Sequence, residues 1–466
     1  MSHFFISAAH KSSGKTTITL GLCAAFKSKD LIVQPFKKGP DYIDPMWLGL
    51  AAGQACHNLD FNTMDNSEIQ QLFNKYASGK DISIIEGNKG LYDGLDLDGS
   101  NSNAALAKLI SAPVILVIDA RGMTRGIAPL ILGYQGFDKD MQIAGVILNQ
   151  LGGSRHESKL RAVIEHYTDV PVLGAVHHDP SLEIVERHLG LVPSNEAPQA
   201  QKRIDQVGEK IAQQVNLNDL LDIANKAGSV KTEPEPSDKT QTFRVSQSLR
   251  IGIARDSAFG FYYPGDLQAF EDAGAELVFF DTIRDEELPS VDGLFIGGGF
   301  PETQMESLEK NQSMRESIRL AIDNGLPTYA ECGGLMYLSN AINWNGKRSE
   351  MVGAIKADTI MHQKPKGRGY VKLSETLYHP WPKPDDHINE NNVISAHEFH
   401  YSSLELTNAT IKFAYSIKRG TGIDGAHDGI VYKNLLGCYA HLRDVNSNHW
   451  VQRFLQFVEQ CKTNEK

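Results

Sequence analysis

The sequence predicts an α/β protein of two domains, each built on a mainly parallel sheet. Three observations carry this expectation. The chain has 466 residues, more than one ordinary hydrophobic core organises. Short apolar runs alternate with helical segments along most of its length, as βαβ units require. A polar stretch at 228–248, with two prolines and no apolar period, separates two such series and reads as a linker that cannot order itself by burial. Domains are therefore expected at 1–227 and 249–466.

Composition excludes several function classes. Hydrophobic residues make up 41% and charged residues 22%, an ordinary balance for a soluble globular chain. The formal net charge of −11 argues against nucleic-acid binding, which needs clustered Lys and Arg on phosphates. No apolar stretch approaches the ~20 residues of a spanning helix. The apolar start His3–Ala8 leads directly into a Gly-Lys-Thr motif and reads as a strand rather than a signal peptide. The five cysteines are scattered without a CxxC pair, which fits neither a disulfide framework nor a zinc site and points to a reducing cytoplasm.

The expected strands follow in order. Before the linker they are Phe4–Ala8, Ile32–Phe36, Ile82–Glu86, Val114–Asp119, Ile143–Asn149 and Val172–Val176. After it they are Leu249–Ala254, Glu276–Phe280, Gly293–Ile296, Pro327–Tyr329, Val393–Ala396 and Leu435–Tyr439. The region 340–415 is less regular, and no strands are assigned firmly there.

The first strand runs into Ala9-His10-Lys11-Ser12-Ser13-Gly14-Lys15-Thr16-Thr17, and an apolar helical run follows. This is a P-loop in the right context, with Ala9 where the first glycine belongs. Backbone N–H groups at a helix start bind phosphates. Lys15 suits the β and γ phosphates of ATP, and the Thr16 hydroxyl suits Mg²⁺. Two further clusters sit at strand ends, where open α/β sheets place their sites. They are Lys37-Lys38-Gly39-Pro40-Asp41-Tyr42-Ile43-Asp44 and Glu86-Gly87-Asn88-Lys89-Gly90-Leu91-Tyr92-Asp93-Gly94. Glu86 and Asp41 are candidate metal ligands. Asp44 could complete the metal shell and is also grouped with the candidate substrate-site residues. Lys37, Lys38 and Lys89 suit an acidic substrate, and Asn149 is a candidate for reading adenine.

In the second domain, Cys332 stands between a short strand and an apolar helix, flanked by Glu331 and Gly333-Gly334. Small neighbours permit the sharp turn that makes a nucleophile project. A thiol nucleophile needs a base within hydrogen-bond reach. His441 follows one expected strand, and His397 and His400 follow another; spacing alone does not choose among them. Gly298 and Gly299, ending a further strand, join Gly333 as candidates for an oxyanion hole.

These residues together carry a resemblance to the cobyrinic acid a,c-diamide synthase family. The matching segments are Ser13–Thr17, Phe36-Lys37 with Gly39–Asp44, Glu86-Gly87 with Gly90–Gly94, Glu331–Gly334 and Glu398–Ser402. They occur in the family's order and cover nearly the whole chain apart from the linker. The resemblance implies a P-loop NTPase-like domain similar to dethiobiotin synthetase, followed by a class I glutamine amidotransferase-like domain. It implies Mg-ATP and L-glutamine as substrates with a tetrapyrrole acceptor, and the candidate substrate-site residues are Lys37, Lys38, Asp44, Lys89 and Tyr92. It assigns the nucleophile to Cys332 and its base to His441. A homodimer is a further expectation.

Two departures qualify this. Many class I amidotransferases carry Glu two residues after the histidine, whereas Arg443 stands there, so a Cys-His dyad is expected rather than a triad. Asn88-Lys89 and Lys38 add positive charge where many members do not, as in relatives that amidate sirohydrochlorin or sirohaem. The reading of a different class is an ATPase switch of the ParA/MinD type, which would need no thiol nucleophile.

Overall fold

The computed structural model describes residues 1–182, 186–187, 190–197, 199–230, 243–383, 393–407 and 411–464. The chain divides into two compact units, Met1–Ser237 and Asp238–Lys466. The expected linker lies largely outside the described residues. Among the described residues no helix is long and apolar enough to cross a membrane.

The first unit is built on a seven-stranded sheet: β1 (His3–Ala8), β2 (Val33–Lys38), β3 (His57–Leu59), β4 (Ile82–Glu86), β5 (Val114–Asp119), β6 (Ile143–Leu151) and β7 (Val172–His177). The strand order is β3-β2-β4-β1-β5-β6-β7, and every pairing is parallel. The central strands are buried almost throughout, which explains why they read as continuous apolar runs rather than alternating ones. Chain order reverses around β1, so the C-terminal ends of β1, β2 and β4 open on one crevice, the switch point where such sheets bind ligands. Helix α1 (Lys15–Lys27) begins there, and its apolar face packs into the core with Ile18, Leu22 and Phe26.

The second unit departs from expectation. Its main sheet has nine strands, of which five are parallel: Glu276–Phe280, Arg250–Ala254, Gly293–Ile296, Thr328–Glu331 and Leu435–Cys438. The other four, His427–Tyr432, Lys412–Arg419, Gly367–Glu375 and Val393–His400, extend it in antiparallel fashion. A separate four-stranded sheet includes Lys347–Glu350 and Ser402–Leu406. The sheet is thus mixed, and two of its four antiparallel strands, Gly367–Glu375 and Val393–His400, lie in the region 340–415 where no strand was assigned firmly. The reason is physical: strands solvated on one face carry charges in place of the apolar runs that mark buried parallel strands.

Candidate functional site

In the first unit the loop between β1 and α1 closes on Gly14, which has φ 83° and ψ 21°, a left-handed conformation that favours glycine. Asn149, inside β6, donates from Nδ2 to the Ser13 carbonyl at 2.9 Å. That amide, expected to read adenine, thus braces the loop backbone. The turn after β4 lies against the start of the loop, with Leu91 N donating to the Ala8 carbonyl at 2.9 Å. Lys15 is buried, which lowers its pKa, and its ammonium donates to the Lys89 carbonyl at 2.6 Å.

Beside Lys15 lies a knot of charge. Thr16 Oγ1 donates to Glu86 Oε1 at 2.9 Å and to Asp44 Oδ2 at 3.2 Å. Lys37, expected to face substrate, instead has its buried ammonium among three carboxylates. It sits 2.6 Å from Glu86 Oε1 and 3.6 Å from Asp41 Oδ2, and it pairs with Asp44 as well. Burial lowers its pKa, but the three acids outweigh burial and hold it well above the usual lysine range. Lys37 and the adjacent Lys15 do not balance three acids. Asp41 shows the excess: burial and then the charge of Asp44 raise its pKa to about 7. Glu86 Oε2 is buried without a hydrogen-bond partner. An orphaned carboxylate oxygen beside a threonine hydroxyl and surplus negative charge is a donor set that fits Mg²⁺.

The remaining substrate candidates separate. Lys38 is buried, and burial, together with the like charge of Lys89, lowers its pKa to about 8 against the opposing pull of Asp60. Lys89 is exposed, with φ 43°. Tyr92 has its hydroxyl donated to the Tyr134 carbonyl at 2.6 Å. Sequence reasoning missed two buried amides that shape the crevice. Asn103 Nδ2 donates to the carbonyls of Asn88 and of Gly90, the latter at 2.8 Å. Asn58 Nδ2 donates to the carbonyls of Gly39 and Asp41, both at 2.8 Å. Neither residue lies in a recognisable motif.

In the second unit, Cys332 has φ 46° and ψ −100° between the strand Thr328–Glu331 and the helix Gly333–Leu338. Its N–H donates to the Cys438 carbonyl of the neighbouring strand at 2.7 Å. The turn is possible because its neighbours are small: a Cβ on Gly334 would run into the Ile296 carbonyl, and one on Gly333 would lie 2.9 Å from Gly299 N. A Cβ on Gly298 would lie 2.7 Å from His441 Cε1. The three glycines expected near the nucleophile therefore crowd against the elbow and its histidine.

His441 is buried beside Cys332, with its Nδ1 3.2 Å from Glu331 Oε2, while the Cys332 thiol lies 3.9 Å from the Phe399 carbonyl. Burial lowers the pKa of His441, but Cys332 and Glu331 outweigh burial and raise it to about 10. His397 stacks on His441 with ring centroids 4.8 Å apart. Burial, with the charges of His441 and Arg443, pushes its pKa well below the usual range. His400 stacks on Tyr439 and directs Nδ1 to the Ser402 carbonyl at 2.8 Å. Of the three candidate histidines, His441 is therefore the one whose pKa is raised by the neighbouring thiol and a carboxylate. Asp428, another residue missed from sequence, accepts from the N–H groups of Gly429, Tyr439 and Ala440 at 2.8–3.0 Å and so fixes the approach to His441.

Comparison with known proteins agrees with this layout. Residues 5–192 match the family model of the CobQ/CobB/MinD/ParA nucleotide binding domain. Residues 250–448 match the CobB/CobQ-like glutamine amidotransferase domain. The chain is 44% identical to the cobyrinate a,c-diamide synthase of Magnetococcus marinus, over 97% of this chain and 96% of that one. The chain belongs to the cobyrinate a,c-diamide synthase family. Its members of the same name in Methanosarcina acetivorans and Archaeoglobus fulgidus are 43% and 38% identical, covering 94% and 97% of this chain and 92% and 96% of theirs. Family membership places the elbow at Cys332 in a glutamine amidotransferase domain and the loop at Lys15 in a nucleotide-binding one, and it sets aside a bare ATPase switch.

Proposed function

We propose that the protein amidates the a and c carboxylates of cobyrinic acid, using ATP to activate each carboxylate and glutamine as the nitrogen source. The observation that carries the glutamine half is Cys332 on a strand-to-helix elbow, with His441 beside it and paired to Glu331. The acceptor rests on the relatives' shared name and on their match along nearly the whole chain.

In the second unit the Cys332 sulfur attacks the side-chain carbonyl carbon of glutamine. Negative charge collects on the carbonyl oxygen, near which the backbone of Gly298, Gly299 and Gly333 supplies donors. The C–N bond breaks, His441 passes its proton to the leaving nitrogen, and ammonia departs. Water then hydrolyses the glutamyl thioester to glutamate, and the thiol is restored.

In the first unit a substrate carboxylate oxygen attacks the γ phosphorus of ATP, and the bond to ADP breaks. Backbone N–H groups of the loop 9–17 and the ammonium of Lys15 hold the phosphates, with Ser13, Gly14 and Thr17 shaping the turn. Thr16, Glu86 and Asp41 would hold Mg²⁺, whose charge, when bound, offsets that of the phosphates. Lys37 and Asp44 keep these acids in register, and Lys38 and Lys89 meet the acceptor's carboxylates. Ammonia attacks the acyl phosphate carbon, the C–O bond to phosphate breaks, and one proton is lost to give the amide. Five free cysteines suit a reducing compartment, and a cytoplasmic site belongs to this proposal.

The test is mass spectrometry after incubation with ATP, Mg²⁺, glutamine and either cobyrinic acid or sirohydrochlorin. Two sequential replacements of hydroxyl by amino on cobyrinic acid support the proposal. Amidation of sirohydrochlorin alone overturns the acceptor, and product without glutamine consumption overturns the nitrogen source.

A further inference from the structure

Glu331 is the last residue of the strand that delivers the nucleophile, and its side chain is 2% exposed. Both carboxylate oxygens are used. Oε1 accepts from the Tyr329 hydroxyl at 2.7 Å and from the Leu442 N–H at 2.8 Å, and Oε2 lies 3.2 Å from His441 Nδ1. Tyr329 and Glu331 share a face because side chains alternate along a strand. The strand pairs in register with Leu435–Cys438, Glu331 opposite Cys438, and the histidine follows three residues later. Sheet pairing thus fixes the offset between acid and histidine without any spacing rule along the chain. Where many class I amidotransferases carry an acid two residues beyond the histidine, Arg443 lies over the Tyr263 ring instead, 4.9 Å from its centroid.

We infer that Glu331 is the positioning residue of the glutaminase site, supplying from the residue before the nucleophile the carboxylate that orients His441 and stabilises its imidazolium. This rests on the amidotransferase reading of the second unit. With Nδ1–H donated to Glu331, Nε2 is left for the Cys332 thiol, so one tautomer and one ring orientation are selected. Glu331 stabilises the charge that appears on His441 when the thiol gives up its own proton. The groups set against His441 are Cys332 and Glu331 from the elbow and the stacked ring of His397, while Arg443 on its own segment acts on His397. Among them Cys332 and Glu331 are the acidic groups. A buried carboxylate is costly unless a charge and hydrogen bonds compensate it, and the imidazolium is the compensating charge.

The experiment measures glutaminase activity against pH in the full chain with Glu331→Gln and Glu331→Asp, alongside amidation driven by ammonium salt. Imidazolium is present below the pKa of His441 and lost above it. Removing the carboxylate lowers that pKa, so the alkaline limb of the glutaminase profile should move to lower pH by about one to three units in Glu331→Gln. Its kcat should fall roughly 10²–10⁴-fold with the KM for glutamine little changed. Glu331→Asp should keep the limb closer to wild type, and both variants should keep ammonium-driven amidation. Alkylation of Cys332 at neutral pH, read on its peptide, should slow in Glu331→Gln in parallel with kcat. A Glu331→Gln enzyme with the wild-type alkaline limb overturns the inference, whatever its rate. Loss of ammonium-driven amidation in both variants also overturns it, by assigning Glu331 to the fold rather than to His441. A wild-type protein without glutaminase activity defeats the amidotransferase reading instead.

Discussion

The elbow stores strain, and two substitutions at one position measure it. Cys332 has φ 46° and ψ −100°, a region that costs a residue with a Cβ about 1–3 kcal/mol. Cys332→Ala and Cys332→Gly both delete the thiol and its contacts, so those losses cancel between them. Glycine adopts this conformation without the Cβ clash but loses about 0.5–1 kcal/mol more backbone entropy on folding than alanine. The difference leaves the glycine variant more stable by about 1 kcal/mol. With a urea slope near the upper end of roughly 1–3 kcal/mol/M, its midpoint should lie a few tenths molar above that of the alanine variant. Tryptophan fluorescence follows the right unit, because Trp344, Trp381 and Trp450 all belong to it and only Trp47 lies in the other. Ala269→Gly in the helix Pro264–Asp272 sets the ordinary scale and should lower the midpoint. If Cys332→Ala proves more stable than Cys332→Gly, the elbow is relaxed and the argument from strain is refuted.

Cys332→Ser and His441→Ala should each abolish glutamine-dependent amidation or lower it by about 10²–10⁴-fold, while amidation from concentrated ammonium salt survives; His397→Ala should be milder. Lys15→Ala should reduce amidation from either nitrogen source roughly 10²–10³-fold and leave glutamine hydrolysis intact, and normal ammonium-driven amidation would refute the phosphate role. Lys38→Met should raise the acceptor KM about tenfold or more, since a bond to a charged group contributes about 1.5–3 kcal/mol. The wild-type acceptor KM should also climb as pH rises through about 8, where the lowered pKa of Lys38 removes its charge. A flat acceptor KM across that range would show that Lys38 does not meet the substrate.

The buried parallel strands were legible because burial on both faces leaves an uninterrupted apolar run. Val114–Asp119 and Gly293–Ile296 fall where the apolar runs place them. His57–Leu59 was not legible: three residues with a histidine and an asparagine have no period to read. Lys347–Glu350 is harder still, for its sequence is Lys-Arg-Ser-Glu and only Ser349 is buried. Its pairing with Ala341–Trp344 is a tertiary fact without a local signal. The same limit applied to Lys37. Its neighbours in sequence suggested a substrate cation, but the partner that decides its role is Glu86, 49 residues away on the adjacent strand.

The histidine behind Cys332 shows how a structure resolves what spacing leaves open. His397 and His441 face each other in an antiparallel bridge, with His441 N donating to the His397 carbonyl at 2.8 Å. Two stacked imidazoles in a buried site cannot both carry charge cheaply, because each disfavours the protonated form of the other. The environment must therefore divide them. Glu331 and the Cys332 thiol lie on the side of His441 and raise its pKa, whereas His397 meets burial and the charges of His441 and Arg443. The result is one imidazole able to hold a proton beside the thiol and one held neutral against it. That division also gives Arg443 a physical meaning. Standing where an acid would otherwise support the histidine, it instead adds to the field that keeps His397 uncharged, and the supporting carboxylate arrives from the neighbouring strand.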